Sequence, residues 1–170
     1  MEAGNKKISV IIGVIVVIAI IAVGLIRYAK PKSRAELISE LYGGEDYVIC
    51  AETAIDDYII NAAYGPNGKA ALITFEPEGN GRYGIQSTVN RDISQIIMGM
   101  AVVDGNVYEL IWFGGAEVEY AEVTCVDNVS GEETTERYDV GLSDIIYFES
   151  PSDDFNMHVV YFDKDGNVYE

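Results

Sequence analysis

From Ile8 to Ile26 the chain reads ISVIIGVIVVIAIIAVGLI, 19 residues without a charge. A helix of that length rises about 28 Å, close to the roughly 30 Å hydrocarbon core of a bilayer. It has no water-facing stripe, so a soluble domain of the size left to this chain cannot hide it. The segment predicts an uncleaved transmembrane helix over 8–26, with a short tail at 1–7 and a basic juxtamembrane tether at 27–34. A cleaved signal peptide is the rival reading, with an apolar region of about 7–15 residues ending at a small-residue site. Ala22 and Gly24 are small, but they lie inside the apolar run, with Leu25 and Ile26 after them. No cysteine follows to accept a lipid.

Charge divides the chain at the same place. Of the 11 basic residues, Lys6, Lys7, Arg27, Lys30, Lys32 and Arg34 flank the apolar run, and of the 28 acidic ones only Glu2 precedes it. From Ala35 onward 5 basic residues face 27 acidic ones, a net of −22. Such a domain repels phosphate backbones and anionic lipid heads, which argues against a nucleic-acid partner. Lys and Arg alone, two before the helix and four after it, favour a cytoplasmic domain. Long domains, however, translocate largely regardless of flanking charge, and an acidic one gains from a potential that is positive outside. The expected topology is a single-pass cell-membrane protein with its domain extracytoplasmic.

The stretch 35–170 reads as an acidic, all-β domain with a short leading helix. Ser33 and Glu36 have the spacing of a capping box, Leu37, Ile38 and Leu41 share a helical face, and Gly43-Gly44 ends the run. Alternating apolar segments then follow between turn signals. They are 47–53, 58–64, 69–75, 82–90, 96–103, 106–113, 117–126, 134–140, 145–149, 157–163 and 167–170. Gly65-Pro66-Asn67-Gly68, Asp104-Gly105 and Asp165-Gly166 are hairpin connections, and 76–81 reads as a loop. About ten short strands with no helix between them predict antiparallel sheets packed as a sandwich or barrel. Only Ala51 to Ala63 also fits helical spacing.

The lysine-flanked anchor, the entry SRAELISELYGGEDYVI, the hairpin GPNGKAALITFEPEGNGRY and the closing VVYFDKDGNVYE occur together. In combination they resemble uncharacterised single-pass membrane-anchored proteins of Gram-positive bacteria with a small extracytoplasmic β-domain. The resemblance implies compartment and fold. It carries no activity to any residue.

Reactive groups are few. Val123-Thr124-Cys125 followed by Arg137 has the look of a sortase signature, and sortases also place a β-barrel beyond an N-terminal anchor. A thiol transpeptidase needs a thiolate, a proton donor and an oxyanion stabiliser. The only histidine, His158, lies downstream of Cys125 rather than upstream, and acidic neighbours raise a thiol's pKa. Cys125 reads as a core cysteine and His158 as a strand residue. Cys50 and Cys125, both at inward strand positions, are a candidate disulfide in an oxidising envelope.

Asp163-Lys164-Asp165-Gly166-Asn167 resembles the start of a calcium loop, but an EF-hand needs glycine where Val168 stands and a bidentate glutamate further on. A hairpin turn explains the same residues. The pairs Asp56-Asp57 and Asp153-Asp154 leave a loop-carboxylate calcium site open, and Asn128-Val129-Ser130 is a glycosylation sequon. Trp112 and the tyrosines read as cross-strand core pairs before a ligand platform. No catalytic, cofactor or metal residue is assigned.

The leading functional reading is therefore a non-catalytic, membrane-anchored module that binds or senses at the cell envelope. The alternative is a pilin-like filament subunit, suggested by Gly4 and the lysines before a long apolar helix. Its processing site is poor, and no acidic residue sits early in the apolar run. A sortase-like envelope enzyme is third.

Overall fold

The computed structural model describes residues 31–93, 96–114, 117–141 and 144–168. The tail, the apolar segment 8–26 and the tether up to residue 30 lie outside the described residues. Among those described, no helix is long and apolar enough to cross a membrane.

The folded unit begins at Ser33. Helix α1, Arg34–Leu41, opens on the anticipated capping box: Glu36 N–H donates to Ser33 Oγ (3.2 Å) while Ser33 N–H donates to Glu36 Oε2 (2.7 Å). It closes with Gly44 N–H donating to the Ser39 carbonyl and Gly43 N–H to that of Glu40, which requires the left-handed backbone at Gly43. Arg34, counted in the tether by sequence, belongs to the fold. Its guanidinium meets Glu52 Oε2 at 2.7 Å and donates to Asn61 Oδ1, and Asn61 in turn donates to the same carboxylate. Of the three apolar residues expected on the packing face, Ile38 is fully buried and Leu37 half-buried, whereas Leu41 stays exposed.

The strands are β1 (Val48–Ile55), β2 (Tyr58–Tyr64), β3 (Lys69–Gly79), β4 (Arg82–Asp92), β5 (Ile97–Val103), β6 (Asn106–Trp112), β7 (Tyr120–Asp127), β8 (Glu133–Asp139), β9 (Ile145–Glu149) and β10 (Phe155–Phe162). They form three antiparallel sheets of order β1-β2-β3-β4, β5-β6-β9 and β10-β7-β8, here sheets one, two and three. The segment 51–63 with the helix-like spacing is a hairpin, Ile55 pairing with Tyr58 across Asp56-Asp57, with Asp56 at φ +51°. The expected loop 76–81 is shorter than its Pro/Gly content suggested. β3 runs through Pro77, which pairs with Tyr83, and only Asn80-Gly81 turns, both at positive φ. Of the expected last strand, 167–170, the described residues show one bridge, Phe162 to Val168, and positions 169–170 lie outside them.

Burial explains the apolar runs. Ile60, Ala62, Ala70 and Leu72 of sheet one pack with Ile97, Leu110, Trp112 and Ile145 of sheet two. Sheet two's other face offers Ile111, Phe113 and Ile146 to Ala121, Val123 and Cys125 of sheet three. The second face of sheet one, with Ala63, Ala71, Ile73 and Phe75, takes Ile38 of α1. Strands buried on both faces lose the in–out alternation, hence the continuous LIWF and ALITF. The antiparallel β domain with a leading helix is as expected, and its sandwich is three sheets deep.

Candidate functional site

Register decides the sortase-like set. Cys125 pairs with Thr134 on one side and Met157 on the other, and its side chain joins the core between sheets two and three. Arg137 pairs with Glu122, and His158 with Thr124. Because side chains alternate along a strand, both fall on the face opposite Cys125. On that outer face the Arg137 guanidinium lies 3.6 Å above the Tyr120 ring, which stacks on Phe162 at 4.5 Å. The three residues do not converge. Burial, with Glu109 and Glu136 nearby, also pushes the Cys125 thiol up from its ordinary value.

The candidate disulfide is not formed. Both cysteines are free. Cys50 packs on the cluster between sheets one and two and Cys125 on that between two and three, so the middle sheet separates them. Packed sheets stand about 10 Å apart, whereas a bridge needs Cα atoms within about 7 Å. Cys50 instead occupies the irregularity in β1 between Ile49 and Ala51 and donates to the Ala62 carbonyl at 3.3 Å.

The remaining sequence candidates are engaged in structure. The Asp163 carboxylate accepts from the Asn167 side-chain amide first, then from the N–H groups of Asn167 and Asp165, which holds the carboxyl below its ordinary range and explains the segment as a turn. Asn128 of the sequon donates to Asp154 Oδ1 and accepts from Asn156, tying the β7–β8 turn to the start of β10. Asp56 and Asp57 form the β1–β2 turn. Trp112 is buried against Tyr64, ring centroids 5.4 Å apart, as a core pair.

What the fold does assemble is a cleft at the side of sheet two, about 370 Å³ in volume. Met100, Val107 and Glu109 line it from β5 and β6, Glu149 and Ser150 from the end of β9, and Asp153 and Phe155 from the approach to β10. Ser150 N–H donates to the Val107 carbonyl, and its hydroxyl donates to Glu109 Oε1 at 3.2 Å. Burial nevertheless raises the Glu109 carboxyl above the usual glutamate range, the serine contact offsetting part of the rise. Glu149 also borders a smaller pocket of about 90 Å³ with Cys125, Glu136, Tyr138 and Phe148. There the Tyr138 hydroxyl donates to Glu136 at 2.7 Å; burial first, and that contact second, raise its pKa. Neither lining includes Lys, Arg or His.

Beside the cleft runs an apolar stripe. Met98, Met100 and Val102 pair with Ile111, Glu109 and Val107, so they share the face that sheet three covers over β6 and β9. On β5 that cover stops short, and the three are 41%, 58% and 46% exposed. By its sequence IMGMAVV is an ordinary strand, and the signal for a further role is an unbroken apolar run beside a lone carboxylate in VYELIW. No family model matches the chain, nor does any curated protein or solved structure.

Proposed function

We propose that the chain is a single-pass membrane protein whose β-domain stands outside the cell membrane and binds or senses, without catalysing, at the envelope. The observation that carries this reading is the acidic cleft between sheets two and three. It is open, of ligand-binding volume, and offers hydrogen-bonding and apolar groups together. The strongest nucleophile candidate supports the same reading, since Cys125 is buried, its thiolate is disfavoured, and its would-be partners lie on the other face. The membrane helix and the topology rest on the charge-free run 8–26 and on the acidity of the domain.

Protease added to intact cells stripped of any outer barrier tests the topology. Digestion of the domain with cytoplasmic controls spared is the expected result, and a protected domain overturns the extracytoplasmic reading. Deleting residues 1–32 is expected to release a soluble, β-rich protein, because the only apolar run long enough to span lies there. Continued membrane partitioning of that truncation sinks the anchor assignment.

A further inference from the structure

The stripe and the cleft form one surface, since Met100 belongs to both. We propose that this surface docks a short cationic peptide segment, studded with apolar side chains, from a partner protein. The inference rests on the binding-module reading and names its ligand class. Three exposed apolar side chains in line on one strand are unusual beside an otherwise acidic surface. Met98 to Val102 spans about 13 Å of extended chain, enough for two or three alternating side chains of a docked segment. Methionine suits such a role because its unbranched thioether adapts to different apolar shapes.

Strand addition is not the mode on the β4 side of β5. There the Gln86 amide donates to the Val102 carbonyl and accepts from its N–H, and the Ser87 hydroxyl takes the Met100 carbonyl. The segment lies across the side-chain face instead. Charge then chooses the occupant. Glu109, Glu149 and Asp153 line the cleft without a cation among them, within a domain of net −22. A second copy of this chain, or an anionic lipid surface, brings like charge to that rim; a lysine-bearing segment brings its complement.

The test uses the full chain in nanodiscs of zwitterionic lipid, with methionine methyl groups isotopically labelled for NMR. The probe is the acetylated hexapeptide Lys-Leu-Lys-Val-Lys-Leu, with hexalysine and Glu-Leu-Glu-Val-Glu-Leu as controls. Met157, half-buried in the core between sheets two and three, is the internal reference. The expected result is saturable perturbation of the Met98 and Met100 methyls with Met157 unmoved. Glu149→Gln with Asp153→Asn weakens binding about tenfold, as does raising salt, and hexalysine binds about tenfold less well. Met98→Ser with Met100→Ser, both exposed and outside the core, lowers affinity similarly when followed by peptide fluorescence anisotropy.

No perturbation, or equal binding of either control peptide, overturns the proposal. So does broadening of the two methyls by spin-labelled lipid before peptide is added, which assigns the stripe to the bilayer. A concentration-dependent shift without peptide overturns it by assigning the stripe to a second copy. None of these outcomes bears on the protease result, so the topology and the peptide surface fail separately.

Discussion

The side-chain amide of Gln86 hydrogen-bonds both backbone groups of Val102, donating to the carbonyl at 2.6 Å and accepting from the N–H at 2.9 Å. A side chain on β4 thus does for β5 what a neighbouring strand's backbone does within a sheet. It joins sheets one and two where their ladders do not meet. It also satisfies an edge that would otherwise present a free N–H and C=O to other chains.

Replacing Gln86 with Leu removes both bonds at once and leaves the Val102 groups to water. The expected cost is about 1–3 kcal/mol, read as a midpoint about 5 °C lower in thermal unfolding. Gln86→Glu keeps only the acceptor and is expected to fall between. An unchanged midpoint in the Leu variant would show that the pairing contributes nothing to stability.

Gly65 is fixed by a contact rather than by a turn conformation. A Cβ there would overlap the Tyr47 ring, which is itself held by stacking on Tyr42 at 4.3 Å and by Asn90 donating to its hydroxyl at 2.7 Å. Gly65→Ala is expected to destabilise by about 1–3 kcal/mol, as overpacking does. In a Tyr47→Leu background the same substitution is expected to cost less than half as much, because the obstructing ring is gone. Equal costs in both backgrounds would point to the backbone instead.

How legible these features were differs from one element to the next. Local chemistry wrote the capping box, the Gly43-Gly44 stop and the Asp104-Gly105 turn into a few adjacent residues, and all stand in the structure. Pro77 misled because proline reads as a strand breaker, whereas here it lies between register irregularities near the end of a hairpin. Sheet stacking was not legible. LIWF and ALITF announce burial on both faces, but not which sheet covers each face. The relation between Cys50 and Cys125 failed for the same reason, since inward has two meanings when the middle sheet has two buried sides. The cleft was hidden too. Glu109 is remote in sequence from Glu149 and Asp153 and meets them only through the β6–β9 pairing and the approach to β10.

Glu109 supplies a prediction with a definite sign. Its folded-state pKa is raised, so the folded domain holds this proton more tightly than the unfolded chain does. The resulting stabilisation is fully present below the ordinary glutamate value of 4.5 and is lost as pH rises through the raised folded value. Glu109→Gln removes that loss while keeping an oxygen for Ser150. The variant is therefore expected to melt about 1–3 °C above the wild type at pH 7.5, with a smaller difference at pH 5. An offset independent of pH would mean that packing, not ionisation, separates the two.

The cysteines offer the sharpest chemical check, because their burial, charge environment and separation each predict a different readout. With the middle sheet between them, Cys50 and Cys125 remain thiols, so intact mass is expected to be the same with and without reductant. A 2 Da deficit in the unreduced protein would require a rearranged core. Reaction of Cys125 with iodoacetamide is expected to be far slower than that of a free thiol at pH 7, since burial, Glu109 and Glu136 all favour the protonated form. The rate should rise with pH beyond the range where an ordinary thiol has already levelled off. Denaturant should expose both cysteines and erase the difference. Glu136→Gln is expected to speed the native reaction about twofold or more, because it removes one of the two charges that oppose the thiolate. Fast, selective modification of native Cys125 at neutral pH would contradict the buried-thiol assignment, and with it the case against catalysis by this domain.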